Sequence, residues 1–481
     1  MKSLKQLLAW AKKDLRGLLL WVIELQEELQ RLKDLLAQNS QNSSRPPSSD
    51  RSRPRDRQLP SDAPPKPKSL RGKSGRKPGG QRGHPGRTLE FCQQPKVVQV
   101  HRLQRCACGQ DLSRQPAEDF ECRQVFDLPP MQLECTEHRA EIKECPDCHG
   151  RQSAPFPPEA KAPVQYGRRF LALLSYLYDA QQCSSRRIRQ MCAELFGYAV
   201  SESTIQDARQ EQFQALEPFE QRLVEILPQQ PVLHADETGV LINKVTHWLH
   251  VLATPLLTFF SVQTKRGAEA IKAIGIIPQF TGWLMHDFLS SYLGFENCLH
   301  TFCKSHLLRE LVFLFEEHGQ AWAGRLRDLF LEMHQRVKQR KARDAPLGPK
   351  ELDRWHSRYR RILCQGRRAN PIRRQQHRRG RPKHSKAQNL LDRLQAYDHC
   401  ILAFLHEFAV PFTNNDGERP LRMIKVRLKV SGCFRTMAGA CRHVRIASYI
   451  STVRKHDLPV FDYLLNALHG RPFLPQGPKS T

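Results

Sequence analysis

The sequence predicts a multidomain α+β protein: an N-terminal coiled-coil helix, a small cysteine-paired domain, a helical hairpin region, and a mixed α/β domain built on short strands. Three observations carry this expectation. The chain has 481 residues, and at roughly 150 residues per domain that suggests about three folded units. Its hydrophobic period changes, from heptads near the start to short apolar runs after residue 230. Its cysteines and its basic residues are clustered rather than spread.

The first 40 residues read as a helix. Leu15, Val22, Leu29 and Leu36 recur every seven positions, and Leu18, Leu25, Leu32 and Asn39 do the same, offset by three. These are the a and d positions of a heptad seam, with Glu24, Glu27, Glu28, Arg31 and Lys33 outside it. A short coiled coil and a homodimer or higher oligomer follow; an amphipathic helix packed on its own chain would show the same pattern. Residues 41–90, rich in Ser, Pro, Gly and Arg, bury too little apolar surface to fold alone and form a basic disordered linker.

The formal charge is +28, from 76 Lys and Arg against 48 Asp and Glu. Residues 45–90 hold 13 basic and 4 acidic side chains, and residues 336–386 hold 19 and 3. Such local excess points to a polyanion, because Lys and Arg neutralise phosphates and release condensed counterions. No apolar run reaches the ~20 residues of a membrane span, and no lipidation motif or signal peptide is evident. The 15 cysteines are odd in number and several fall in helical stretches, which favours a reducing compartment over a disulfide framework. The expected place is the cytoplasm, on or near the nucleoid, with no membrane partner. Within the linker, Arg76, Lys77 and Arg82 lie in a basic, glycine-rich stretch suited to a DNA groove, although a solvated tether has the same composition.

Residues 91–155 contain Cys106-Ala-Cys108-Gly and Cys145-Pro-Asp-Cys148-His, one pair at each end of a segment expected to be β-rich. Two such pairs suit a structural Cys₄ zinc site. The first pair is tighter than a usual knuckle, so Cys122, Cys135 or His138 stands as a substitute ligand, and free buried cysteines remain the alternative. Residues 160–225 follow as a helical region. Ser185 to Gly197, then Ser201-Glu-Ser-Thr, outlines a helix-turn-helix, a form also common in proteins that never touch DNA.

After residue 230, Val232-Leu-His-Ala-Asp236 reads as a short apolar strand ending in an acid, and Gly282-Trp-Leu-Met-His-Asp287 repeats the design. Two such strands would set both carboxylates on one rim of a mixed sheet. Adjacent carboxylates repel and desolvate badly, so cations usually hold them, and hard oxygen donors suit Mg²⁺ or Mn²⁺. A third acid, Glu418, starts a helix whose first turn Pro420 should occupy, with Arg422, Lys425, Lys429 and Arg435 following. Acids that hold metal among phosphate-binding cations have the logic of two-metal phosphoryl transfer. Glu237 rivals Asp236, Asp416 rivals Glu418, and strand-end capping is the bland alternative.

An ordered set of motifs then resembles one family. It comprises Asn42-Ser-Ser-Arg-Pro-Pro-Ser-Ser-Asp50, Arg76-Lys-Pro-Gly-Gly-Gln-Arg-Gly-His-Pro-Gly86, the cysteine pairs and His234-Ala-Asp236-Glu-Thr. It continues with His286-Asp287 with Tyr292, Cys303-Lys-Ser-His306, Asn414-Asn-Asp-Gly-Glu418-Arg-Pro and Lys429-Val-Ser-Gly-Cys-Phe-Arg435. The chain resembles transposases of the insertion sequence 66 family, of the DDE type. The resemblance implies a ribonuclease-H-like catalytic domain over 230–455 with a helical insertion at about 310–405, and leaves 456–481 as a tail. It implies Asp236, Asp287 and Glu418 as ligands of two Mg²⁺ ions, DNA ends and target as substrates, and accessory proteins of the same element as partners. The pair Cys303 and His306 resembles a motif after the second acid, expected to be structural support, with metal binding as the alternative. A zinc-containing DNA-binding regulator, or a nuclease that cuts without joining, would use many of the same features.

Overall fold

The computed structural model describes residues 13–38, 89–371 and 384–478, together with Trp10 and Asn42. The basic-arm residues Arg76, Lys77 and Arg82, and most of the linker, lie outside the described residues, as do Asn39 and the 372–383 part of the second basic run.

Helix α1 (Leu15–Ala37) is capped by Asp14, whose side chain accepts the Gly17 amide. Its leucine seam faces solvent: Leu15, Val22, Leu25, Leu29, Leu32 and Leu36 are all exposed. Its last turns meet the rest of the chain, where Asp34 pairs with His318 and Lys386 and Ala37 packs on the large helical core. Self-packing therefore does not use up the apolar seam.

The cysteine region holds less regular structure than expected. Its strands are β1 (Ile142–Glu144) and β2 (Arg151–Ser153), an antiparallel hairpin that carries the second cysteine pair in its turn. The following unit is helical. Helix α2 (Arg168–Ser175) runs on into a π-helical turn over Tyr176–Ala180. Helix α3 (Ser185–Phe196) stops at Gly197, whose φ of 74° is the left-handed cap that glycine takes without strain. Helix α4 (Glu202–Ala215) starts where the Ser201 hydroxyl accepts the Thr204 amide at 3.0 Å. Helix α5 (Glu217–Ile226) leads into the sheet.

The sheet has five strands in the order β5-β4-β3-β6-β7. Strands β3 (Val232–Ile242), β4 (Val245–Ala253) and β5 (Thr258–Gln263) form the antiparallel meander that their short turns suggested. Helix α6 (Ala268–Ile274) then crosses to β6 (Trp283–His286), parallel to β3. The short α7 (Ser290–Leu293) leads to β7 (Leu299–Phe302), parallel to β6. Between β7 and the helix bearing Glu418 lies the insertion, which is helical. It comprises α8 (Lys304–His318), α9 (Ala321–Lys341), α10 (Pro349–Ala369), α11 (Lys386–Ala396) and α12 (Asp398–His406) around one core containing Trp322, Phe330, Tyr359 and Phe404.

Helix α13 (Asn415–Ser431) lies on the sheet face formed by even-numbered β3 residues, packing Leu421 and Ile424 against Val240 and Ile242. Helix α14 (Met437–Lys455) covers the outer edge of β5. Its Ser448 and Thr452 hydroxyls, one turn apart, accept the Phe260 and Thr258 amides at 2.9 and 3.1 Å. Edge amides that would invite another strand are thereby satisfied. Residues expected to be a tail are not one: α15 (Val460–Leu468) buries Leu464 and Ala467 in the core shared with β3 and α14. No apolar periodicity long enough to betray this segment exists in so short a helix.

Candidate active site

Strand β3 does not end at Asp236, as its apolar run suggested. It continues to Ile242 because β4 pairs with it along its length. What ends near Asp236 is the parallel ladder: His234 pairs with Met285, and β6 finishes at His286. Continuing that register by two residues sets Asp236 beside Asp287, on the same face. The β6–β7 register, His286 with Phe302, then sets Asp287 beside Cys303. Asp236, Asp287 and Cys303 thus stand in a row at the carboxyl edge of the three parallel strands, where open α/β sheets place their sites.

The third acid arrives on α13, which begins earlier than the proline implied. Asn414 is the N-cap, Asn415 the first residue, and Pro420 lies inside the helix. A proline in the second turn forgoes one helical hydrogen bond, and α13 tolerates it because its buried face is anchored on the sheet. Asp416 and Glu418 both fall in the first turn, where negative charge is favoured by the helix dipole. Gly417 between them leaves room for Asn414, since a Cβ there would lie 3.0 Å from the Asn414 Oδ1.

Asn414 ties the helix to the sheet. Its Nδ2 donates to the Ala235 carbonyl at 2.8 Å, its Oδ1 meets the His234 ring at 2.8 Å, and its amide donates to the Cys303 sulfur at 3.2 Å. Glu418 lies with Oε1 3.8 Å from that sulfur. Sequence reading gave Asn414 no role. An Asn-Asn-Asp run before a helix signals a cap, but nothing local reveals a partner about 180 residues away.

The rival acids are occupied differently. The Glu237 side chain points to the opposite face, is buried, and is bound by Arg266 at 2.6 Å and by the Tyr292 hydroxyl at 2.8 Å. Asp416 leans toward His234 at 3.8 Å. Among the described residues, Asp236, Asp287 and Glu418 form no ion pair. Asp236 accepts only the Glu237 amide and Asp287 only the Leu289 amide. Burial pushes the Asp236 carboxyl up to about 8, with the charges of Glu237, Asp287 and Glu418 adding to the effect. Burial and Glu237 also raise Asp287, although Arg266 pulls the other way. Two buried aspartates whose carboxyls are pushed up, chiefly by burial, present hard oxygen donors of the kind that suit a divalent metal.

Behind this edge, burial pushes the His286 ring down to about 3; it meets His300 at 3.1 Å and its own neighbour's carbonyl, the Asp287 main-chain oxygen. His306, in the first turn of α8, is pushed down to about 4 by burial and Arg309, so its imidazole is neutral. Cys303, His306 and Glu418 each bring one donor atom within 4.8 Å of the others.

Of the basic residues on α13 and after it, Arg422, Lys425, Lys429 and Arg435 are all exposed. Helix α10 exposes Arg354, Arg360, Arg361 and Arg368. The helix-turn-helix outline forms as a helical hairpin, but α4, the helix expected to read a groove, turns Glu202, Asp207 and Glu211 outward and buries Arg209. Acids on that face repel phosphate. The cations of this unit, Arg186, Arg187 and Arg189, are exposed on α3 instead.

The cysteine pairs each form a tight turn. The Cys106 thiol is lowered by the Cys108 amide and side chain, and the Cys145 thiol by the Cys148 and Asp147 amides. The two pairs are not gathered into one four-thiol cluster among the described residues.

A five-stranded mixed sheet with two aspartates side by side at its parallel edge and a third acid on a packed helix, within a strongly basic chain, defines the class as an α+β protein with a candidate acidic site. The family match makes this particular. The model described as Transposase IS66 family matches residues 163–442, from the helical unit through α13 and into α14, and the chain belongs to that family. A second model, described as a family of unknown function (DUF6444), matches residues 14–90. No curated protein matches the chain. No described helix is long and apolar enough to cross a membrane.

Proposed function

We propose that this transposase binds the terminal inverted repeats of its element and performs strand cleavage and strand transfer through Asp236, Asp287 and Glu418. The observation that carries the reading is that Asp287 and Glu418 lie near enough to raise the Asp236 carboxyl, while the rivals Glu237 and Asp416 are engaged with Arg266 and His234. The strand order and directions, three antiparallel then two parallel, are those expected of a ribonuclease-H-like domain.

Asp236, Asp287 and Glu418 would hold two Mg²⁺ or Mn²⁺ ions, which supply Lewis-acid stabilisation of the attacking and leaving oxygens. The chain's own part is positional. The sheet register fixes the two aspartates side by side, and Asn414 fixes the start of α13, which delivers Glu418. Arg422, Lys425, Lys429 and Arg435 hold DNA phosphates beside the acids. The exposed seam of α1 pairs protomers so that two ends are brought together, and each cysteine pair supplies zinc ligands in the N-terminal domain.

The test is incubation of the full chain with labelled inverted-repeat DNA and Mg²⁺. Joined products support transposition, cleavage without joining indicates a nuclease, and binding alone indicates a regulator. Two further results are expected. Replacing Arg422, Lys425 and Lys429 together by Ala lowers the slope of log affinity against log salt by about 3, at roughly 0.9 per phosphate contact, as read by titrating end DNA over a salt series. Loading the metal-free protein with Mg²⁺ at pH 7 releases about one proton per chain, because a carboxyl near 8 must ionise to become a ligand, and the release fades above pH 9. Calorimetry in two buffers of different ionisation enthalpy reads this directly.

A further inference from the structure

The transposition chemistry proposed above has no use for sulfur, yet a thiol sits in the row of acids. Cys303 is the N-cap of α8 and His306 its third residue. Side chains at the N-cap and N3 positions face each other across a helix's first turn, so the Cys-x-x-His spacing sets sulfur beside imidazole. Helix α13 brings Glu418 to the same point, 3.8 Å from the sulfur. Cys303 is 1% exposed, and the His306 Nδ1 is buried with no hydrogen-bond partner. A buried ring nitrogen left unpaired costs on the order of 1–3 kcal/mol, which a ligand would recover.

Magnesium prefers an all-oxygen shell; a thiolate, an imidazole and a carboxylate are the donors of zinc. We propose that Cys303, His306 and Glu418 bind one Zn²⁺ ion, with the fourth position open to water. Tetrahedral zinc, with Zn–S about 2.3 Å and Zn–N or Zn–O about 2.0 Å, sets its donors roughly 3.5 Å apart. The Cys303–Glu418 spacing nearly meets this, and the three donors, within 4.8 Å of one another, need to draw in by about 1.5 Å at most. The site goes beyond the phosphoryl-transfer reading and does not require it, although it shares Glu418.

The experiment loads the metal-free full chain with Zn²⁺, removes excess, and counts zinc per chain in the wild type, Cys303→Ser and His306→Gln. Zinc held by the N-terminal cysteine pairs is common to all three, so the difference is the readout. Each variant is expected to hold one ion fewer. With Co²⁺ in place of Zn²⁺, the wild type minus Cys303→Ser spectrum is expected to show sulfur-to-cobalt charge transfer. Should Cys303→Ser fail to fold, His306→Gln carries the test, since its buried Nδ1 has no partner to lose. An unchanged zinc count in folded His306→Gln overturns the proposal. Asp236→Asn separates the two readings: it should abolish joining and leave the zinc count as in the wild type. A count that falls in Asp236→Asn would place the ion between the aspartates and overturn the site described here.

Discussion

Asp236→Asn is expected to abolish DNA joining and at the same time to raise the melting temperature of the metal-free protein. The first effect follows if Asp236 is a metal ligand, because losing several kcal/mol of Lewis-acid stabilisation is roughly a 10³-fold loss of rate. The second follows from its environment. The folded-state carboxyl is pushed up to about 8 by burial and by neighbouring acids, whereas in the unfolded chain it titrates near 3.9. A group raised in this way contributes its full stability only below the unfolded value, and that stability is lost as pH rises through the folded one. At pH 7 the wild type has lost up to about 4 kcal/mol, at 1.36 kcal/mol per pH unit. Asn keeps the shape and cannot ionise. The gain in the variant should therefore grow from pH 4 to pH 8 and then level off. Thermal unfolding in chelator across that range, beside an end-joining assay, checks both halves. A variant that joins DNA like the wild type would remove Asp236 from the site.

Asp179→Ala is expected to be the most destabilising single substitution outside the hydrophobic core. Asp179 sits in the π-helical turn after α2. The Arg209 guanidinium of α4 grips it at 2.8 and 2.9 Å, and it meets the His443 ring of α14 at 2.7 Å, all three being buried. Burial alone would push the Asp179 carboxyl up, but Arg209 and His443 outweigh it and hold it near 2. Removing the acid strands a buried guanidinium, which typically costs about 3–5 kcal/mol. A depressed carboxyl gives its stability above the unfolded value and loses it as pH falls through the folded one. The wild-type advantage should therefore hold at neutral pH and disappear between about pH 4 and pH 2. Urea unfolding at pH 7 and pH 3 reads this. Replacing the pair together, Asp179→Leu with Arg209→Met, should recover most of the loss, since buried ion pairs and apolar substitutes are often near-equal in stability.

This cluster also joins the helical unit to the sheet domain's helices. Arg209 and Arg427 flank the Tyr178 ring at 3.9 and 4.0 Å, and Arg445 binds Glu220. Side chains that a sequence reading counts as phosphate-binding charge are here joining α2, α4 and α5 to α13 and α14. Composition measures charge and cannot say which cations are internal. The same limit applies to the second basic run, where Arg336 and Arg340 share Glu351 and Arg367 meets Asp392.

Local signals were legible wherever they decide the outcome locally. Gly197 and Ser201 ended and began helices as glycine and serine caps do, and the short turns after residue 242 made a meander. Asp287 follows directly on the apolar strand that announced it. Pro420 favours a first turn, but anchoring of α13 on the sheet overrides that preference and the helix starts at Asn415. Pairing with β4, and not the apolar run, sets where β3 stops. The nine-residue α15 carries too little pattern to show in the sequence that it is buried.

By itself the sequence determined the order of parts, the charge and the identity of the donor groups, because residue type and spacing are covalent facts. It offered Asp236 or Glu237, and Glu418 or Asp416, as equals in chemistry. The family resemblance favours Asp236 and Glu418, and the tertiary structure adds a physical reason at β3, since alternation along the strand turns Glu237 to Arg266 and Tyr292 while register brings Asp236 beside Asp287. The tertiary structure alone joined Cys303 to Glu418, because that contact depends on Asn414 clamping α13 against strands far away in the chain.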